Sequence, residues 1–205
     1  KGEVTDISFL NKIIKRNIDE IYYLAGESSI TKSFKFPGKS FLSNSMGIIN
    51  ILELVRSKNL RIKIFNACSG QIYGNKKKNF FNINSSIDPQ SPYAVSKAAG
   101  YWLVKVFREN YNIFCCSGVL FNHESPLRSD EFVTKKIVNG AKLIQRGKSK
   151  KLLLGDINVY RDWGWAPEYV KAYWLMLQKK IPSDLIIGSG KTHSLKDFAK
   201  EVFKL

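Results

Sequence analysis

Hydrophobic positions in the first 121 residues alternate between two periods. Phe9, Leu10, Ile13 and Ile14 share one face of a predicted helix over about 7–16, with Asp6 placed as its N-cap. Ile21-Tyr22-Tyr23-Leu24-Ala25 is a short apolar run of strand length. Gly26 to Ser43 is polar and carries Gly, Pro and Ser, which predicts a loop. From Asn44 to Arg56 the period returns to helical: Met46, Ile49, Leu52 and Val55, flanked by Ile48 and Ile51, form a broad apolar face. Leu60 to Cys68 predicts a second strand, and Asn75 to Pro92 an irregular loop. A helix follows over about 92–110, with Pro92 in its first turn. Ile113 to Phe121 is nearly continuous apolar sequence, as in a parallel strand covered on both faces. This strand–helix order predicts an α/β protein with a doubly wound parallel sheet of the Rossmann type.

Beyond about residue 122 the pattern is more broken. It predicts a helix over about 132–146, a short strand at Leu152-Leu153-Leu154 and a helix over about 166–179. A strand at Leu185-Ile186-Ile187 and a final helix from Ser194 complete it. The expected organisation is a partial dinucleotide-binding region over 1–125 and a partial substrate-binding region over 126–205, interleaved with the first. A dinucleotide fold opens on a strand and Gly-x-x-Gly-x-x-Gly, where the pyrophosphate approaches a helix N-terminus. The sequence has no such motif, and Gly188-Ser189-Gly190 is a poor match in the wrong place. The expectation is therefore a piece of a larger fold, lacking its first strand, helix and second strand and a C-terminal portion.

The chemistry concentrates at Ser91-Pro92-Tyr93-Ala94-Val95-Ser96-Lys97. Tyr93 and Lys97 are four residues apart and share a helix face. A free phenol titrates near 10, and a neighbouring cation favours the phenolate. A Tyr tuned in this way can exchange a hydroxyl proton while hydride moves to or from a nicotinamide. Tyr-x-x-x-Lys alone is better read as an ordinary surface pair on an amphipathic helix. The hydroxyl of Ser69, at the end of the preceding strand, shifts the reading towards a proton relay.

Charge changes the picture little. Lys and Arg number 33 against 17 Asp and Glu, a net charge of +16. The cations are spread along the chain, with tight runs only at Lys76-Lys77-Lys78 and from Lys148 to Lys151. No nucleic-acid motif accompanies them, so the charge reads as a lysine-rich solvated surface, compatible also with an anionic substrate. No apolar run reaches the roughly 20 residues of a membrane span. The three cysteines, Cys68, Cys115 and Cys116, sit in apolar strand contexts and predict reduced, buried thiols in a cytoplasmic protein. No Cys/His spacing suits a metal.

Together the motifs resemble those of GDP-mannose 4,6-dehydratases, within the extended short-chain dehydrogenase/reductases. The matching segments are Glu20 to Ala25, Ser69 to Gly74, Ser91 to Lys97, Gly118 to Pro126 and Phe132-Val133-Thr134. Leu154-Gly155-Asp156, Arg161 to Gly164 and Gly190 to Ser194 continue them. The resemblance implies that Tyr93 is the acid/base at the sugar C4 hydroxyl and that Lys97 tunes it and holds the nicotinamide ribose. It implies that Ser69 hydrogen-bonds the substrate. It puts Glu3, Val4, Leu24, Ala25, Gly26, Leu120, Asn122, His123 and Arg128 along an NADP (or NAD) cofactor. Asn122, Lys136 and Arg161 would contact the GDP-sugar, Arg161 by a bidentate fork. Asn44 matches a helix asparagine of the superfamily and equally suits a plain N-cap. On spacing alone Arg161 serves equally as half of an ion pair with Asp162, and for His123 and Glu124 bracing of their loop is the preferred reading. The helices over about 44–58 and 92–110 lie where the superfamily builds a four-helix dimer interface, which implies a homodimer or homotetramer.

One residue departs from that family. The glutamate that removes the C5 proton and helps the C6 hydroxyl leave would stand at position 71, and this chain has Gln71. An amide cannot exchange a proton at physiological pH. Three readings follow: an engineered change that traps a complex, a substitute carboxylate (Glu27 or Glu124), or C4 epimerase or reductase chemistry without dehydration.

Overall fold

The computed structural model describes residues 1–74 and 80–204; the Lys76-Lys77-Lys78 run lies outside them. The described chain divides into two compact units. The first comprises Lys1–Leu120 with Lys171–Ile187, and the second Phe121–Val170 with Gly188–Leu205.

The first unit is built on a four-stranded parallel sheet. Strands β1 (Glu20–Tyr23), β2 (Lys63–Ser69), β3 (Cys115–Leu120) and β6 (Leu185–Ile187) lie in that order. All their carboxyl ends therefore share one edge, where open α/β sheets bind ligands. β3 is buried at every position, as its continuous apolar sequence requires. Successive side chains of β2 point to opposite faces. Ile64 joins Ile48, Leu52, Val104 and Phe107 of helices α4 (Gly47–Ser57) and α5 (Pro92–Tyr111) in one core. Phe65 stacks instead on Tyr173, from helix α7 (Ala166–Gln178), with ring centroids 4.5 Å apart. Helix α1 (Ile7–Ile13) is N-capped by Asp6 as expected, and contributes Leu10 to the first core.

The predicted loop over 26–43 is a correction. It contains α2 (Ile30–Lys35), N-capped by Ser29, and α3 (Pro37–Phe41), with Pro37 at its start. α3 runs through a π-helical turn, Leu42–Met46, into α4. Asn44 is therefore interior to a helical segment and is no N-cap. The turn has a local cause, because Ser and Asn side chains compete for backbone groups. The Asn44 amide donates to the Ser40 carbonyl one turn back, at 3.0 Å. The Tyr23 hydroxyl donates to the Ser43 carbonyl. Gly47 leaves the space that this hydroxyl needs.

The far end of α5 is fixed by Arg108. Its guanidinium grips Asp184 bidentately at 2.8 and 2.6 Å, and Asp184 also accepts the Ser117 backbone N–H at 2.7 Å. The pair is largely buried and ties α5 and β3 to the approach of β6. Asp184→Ala strands the guanidinium and the Ser117 N–H together. It is expected to cost about 3–5 kcal/mol, read from urea denaturation midpoints; a loss below about 1 kcal/mol would show the pair to be solvent-screened.

In the second unit, β4 (Asn122–Glu124), β5 (Tyr160–Trp165) and β7 (Thr192–Ser194) form a three-stranded sheet. β4 pairs parallel and β7 antiparallel with β5. Helices α6 (Val133–Gln145) and α8 (Leu195–Lys204) pack together beside it. This sheet is absent from the sequence reading, because its strands are short and only partly buried. The strand expected at Leu152-Leu153-Leu154 does not form. Leu152 packs against Gly140 of α6, and Leu153 is 71% exposed. α8 starts on a capping box: Ser194 accepts from the Asp197 N–H at 3.0 Å and donates to its carboxylate at 2.6 Å.

Candidate active site

β2 ends at Ser69, where the chain turns into a short 3-10 helix, Gly70–Tyr73. The Ser69 hydroxyl caps that turn by accepting the Gln71 N–H at 3.3 Å, and its own O–H remains a donor. Gln71 is half-buried within the turn. α5 begins beside it in sequence order, with Ser91 as N-cap accepting the Ala94 N–H at 3.1 Å.

Tyr93 and Lys97 lie on the first turns of α5. The Lys97 ammonium stands 5.9 Å from the Tyr93 ring centroid and donates to the Ala67 carbonyl of β2 at 2.9 Å. Lys97 is buried, 8% exposed, and its ammonium is held by a backbone carbonyl. Burial lowers its pKa to about 8, and the neighbouring Cys68 opposes that shift weakly. Burial pushes the Cys68 thiol up to about 12, so it stays protonated.

The sign of the stability effect follows. The folded pKa of Lys97 lies below its ordinary value, so the unfolded chain binds the proton more readily between about pH 8 and 10.4. The penalty for burying the charge is full below pH 8 and fades as pH rises through that window. Burying the charge at that depth costs roughly 3 kcal/mol, offset by about 1 kcal/mol for the Ala67 hydrogen bond. Lys97→Met is therefore expected to stabilise the fold by about 1–2 kcal/mol at pH 7, an advantage that shrinks towards pH 10. Equal stability of the two proteins at pH 7 would refute this.

The loop after β1 closes the same edge of the sheet. Leu24, Ala25 and Gly26 are exposed there. Gly26 has φ +129°, and a Cβ on it would run into the Asn44 side-chain oxygen, so glycine is required on both counts. The Asn44 amide also donates to the Glu27 carbonyl at 3.0 Å, and the Glu27 N–H donates to the Ser43 hydroxyl at 3.3 Å. Leu120 ends β3 in register with Ser69. Glu3 and Val4 lie in the turn before α1, where the Val4 carbonyl accepts from Asn50 at 3.4 Å. The structure thus brings Leu24, Ala25, Gly26, Ser69, Gln71 and Leu120 to the carboxyl edge of one sheet, with Tyr93 and Lys97 on the helix packed against β2.

The remaining candidates belong to the second unit. The Asn122 carbonyl faces the Tyr169 hydroxyl at 3.4 Å. The His123 ring stacks on Tyr169, and its Nδ1 lies 3.0 Å from the Phe121 carbonyl. Arg128 pairs with Glu124 at 3.1 Å and stacks on the Phe132 ring, 3.5 Å from its centroid. Burial raises the Glu124 pKa, against the opposing pull of Arg128, Thr134 and His123. Lys136 is exposed on α6 and Arg161 on β5, where Arg161 donates to the Tyr160 carbonyl at 2.7 Å. Asp162 turns away from Arg161 and instead accepts from the Ser189 N–H and hydroxyl and the Gly190 N–H, at 2.7–3.0 Å. The Gly188-Ser189-Gly190 segment is thus a turn held by a carboxylate. Among the described residues no cluster of side chains suits a metal ion, and no helix is long and apolar enough to cross a membrane. All three cysteines are free and buried.

Sequence reasoning missed Tyr23, Ser45 and Cys68 as parts of this edge. The Ser45 hydroxyl donates to the Ser96 carbonyl at 2.9 Å across 51 residues of sequence, a separation that no local pattern marks.

Solved structures share this fold. One is described as RMD from Pseudomonas aeruginosa complexed with NADPH. It superposes with a TM-score of 0.91 at 22% identity, covering 98% of this chain and 70% of that one. A UDP-N-acetylglucosamine 4-epimerase from Methanobrevibacter ruminantium gives 0.87 at 23%, covering 98% and 64%. A relative from Dictyostelium discoideum named GDP-mannose 4,6 dehydratase is 39% identical over 206 residues, covering 99% of this chain and 58% of that one. One of the same name from Drosophila melanogaster is 38% identical, covering 99% and 52%. The chain spans about half the length of the curated relatives it matches. A family model described as GDP-mannose 4,6 dehydratase matches residues 1–205, and with these identities the chain belongs to that family.

Proposed function

We propose that this protein serves a nicotinamide-dependent nucleotide-sugar 4,6-dehydratase that converts a GDP-linked hexose, GDP-mannose or a close relative, to its 4-keto-6-deoxy form. The observation that carries this is the buried Lys97 held between Tyr93 and the Ala67 carbonyl, one strand residue from Ser69 and its neighbouring Gln71.

A nicotinamide cofactor fits this edge. The loop Leu24-Ala25-Gly26 offers a backbone without a Cβ at Gly26, and Leu120 borders the same edge. Glu3, Val4, Asn122, His123 and Arg128 are the further residues assigned to it. The ligand is NADP in this reading, with NAD as the alternative. A nicotinamide bound there would supply the hydride acceptor and donor that the sugar's redox steps require. Tyr93 takes the C4 hydroxyl proton, Lys97 favours the phenolate, and the Ser69 O–H holds the sugar oxygen. Asn122 and the exposed cations of Lys136 and Arg161 serve the GDP moiety. A cytoplasmic location suits this substrate.

Gln71 favours a second reading, a C4 epimerase or reductase that does not dehydrate. Incubating the full chain with GDP-mannose and NADP and identifying the product separates the two. A 4-keto-6-deoxy sugar supports the first; C4 inversion or exchange alone removes it.

The same reading includes a homodimer or homotetramer. Val95, Trp102 and Val106 form an exposed apolar stripe along α5, each 44–47% exposed. Trp102→Asp is expected to shift the protein towards monomer in sedimentation, and an unchanged mass would place the contact elsewhere.

A further inference from the structure

Two side chains outside the relay converge on the turn of α5 that carries it. Ser45, in the π-helical turn, donates its hydroxyl to the Ser96 carbonyl at 2.9 Å. Cys68, on β2, has its sulfur 3.6 Å from the Lys97 carbonyl, nearer than the 4.0 Å to the Ser69 carbonyl. Ser45 and Ser96 are completely buried, and Cys68 nearly so. Ser96 in turn donates its hydroxyl to the Tyr93 carbonyl at 2.7 Å. The consecutive carbonyls of residues 96 and 97 thus each receive a side-chain donor from a different element. Helical carbonyls in this position already accept intrahelical N–H groups and need no second donor for their own sake. Their shared feature is that they belong to the helical turn that carries the Lys97 side chain.

We propose that Ser45 and Cys68 are positioning residues that clamp the α5 turn against the π-helical turn and β2, fixing Lys97 in its buried seat beneath Tyr93. The clamp explains two otherwise idle groups: a buried serine in a π-helical turn, and a buried thiol that is no nucleophile. The thiol stays protonated and so keeps its S–H donor. The titratable groups facing Lys97 are Tyr93 from α5 and Cys68 from β2, with Asp184 acting on the same thiol. The catalytic meaning of the clamp rests on the reading proposed above; its effect on Lys97 does not.

The test compares Ser45→Ala, Cys68→Ala and their double variant with Cys68→Ser, which keeps a donor, and with Ser33→Ala. Ser33 is also fully buried and donates to the Ile30 carbonyl at 2.7 Å away from the relay, so it controls for loss of a buried hydroxyl. Two readouts are taken: the titration midpoint of the Lys97 ammonium by NMR of 15N-labelled lysine, and kcat against KM on GDP-mannose. In the double variant the midpoint is expected to rise from about 8 towards the ordinary lysine value near 10.4 as water reaches the amine. Its kcat is expected to fall roughly tenfold with KM little changed. Cys68→Ser should stay close to the parent. If the double variant matches Ser33→Ala in both readouts, the clamp is refuted. If the double variant does not fold, the two single variants decide by the same midpoint. If the parent turns over no GDP-mannose, the functional reading falls while the midpoint still judges the clamp.

Discussion

Tyr93→Phe is expected to lower turnover of the GDP-hexose by about 10²–10⁴-fold, the usual range for losing a positioned acid/base. The ring stays and only the hydroxyl goes, so packing on α5 is preserved. Binding of the cofactor and of GDP-mannose should change little, because in the proposed reading both are held mainly by other groups. The loss should therefore appear in kcat and kcat/KM equally, the mark of an interaction made in the transition state. Single-turnover measurement of nicotinamide reduction isolates the step from product release. Retention of more than a tenth of parental activity would exclude Tyr93 as the group that takes the C4 proton. Lys97→Met forms the companion experiment. It should lose activity while gaining stability at neutral pH, because the parent pays to bury an ammonium at that site.

Gln71→Glu should move the chemistry in the opposite direction. A carboxylate at this position on the Gly70–Tyr73 turn can accept the C5 proton and protonate the departing C6 hydroxyl, which an amide cannot do. Loss of water across C5 and C6 is expected to rise by about 10²–10⁴-fold, with the C4 oxidation rate unchanged. Isotope exchange at C5 in heavy water follows the step directly. Equal exchange in parent and variant would mean that another carboxylate already performs it. Of the two candidates, Glu124 belongs to the second unit and is tied to Arg128 at 3.1 Å. Glu27 belongs to the same unit as Tyr93, and its Oε1 accepts the Ser29 N–H at 2.9 Å. In that outcome Glu27→Gln in the parent background would be the decisive variant.

The placement of Tyr93 and Lys97 on one helix and the strands around it were legible because their signals are local. Strand β3 is buried on both faces and reads as unbroken apolar sequence. The α5 start carries Pro92 in its first turn as a sequence cue, and the structure adds Ser91 as its N-cap. Tyr93 and Lys97 share a face by helical geometry alone. The second sheet was not legible, since β4 and β7 have three residues each and gain their pairing from β5 rather than from their own pattern. Leu152 to Leu154 had strand composition without a neighbouring strand to pair with, and one of those leucines serves α6 instead.

The amino-acid sequence by itself determined the parallel strand order of helix and sheet, the Tyr93–Lys97 pair, the Ser69 hydroxyl and the amide at Gln71. Each depends on residue identity at short spacing, which sequence states outright. Tertiary structure alone decided the electrostatics and the fit of those groups. Lys97 lies four residues from Tyr93 in any helix, but its low pKa comes from burial against β2, where it donates to the Ala67 carbonyl 30 residues away. Arg161 and Asp162 are neighbours in sequence, yet the carboxylate closes on Ser189 and Gly190 while the guanidinium stays exposed. Asn44 reads as a helix cap until the π-helical turn sets it beneath Gly26 and next to Ser45. Desolvation and long-range hydrogen bonds depend on which distant segments meet, and no short stretch of sequence contains that information.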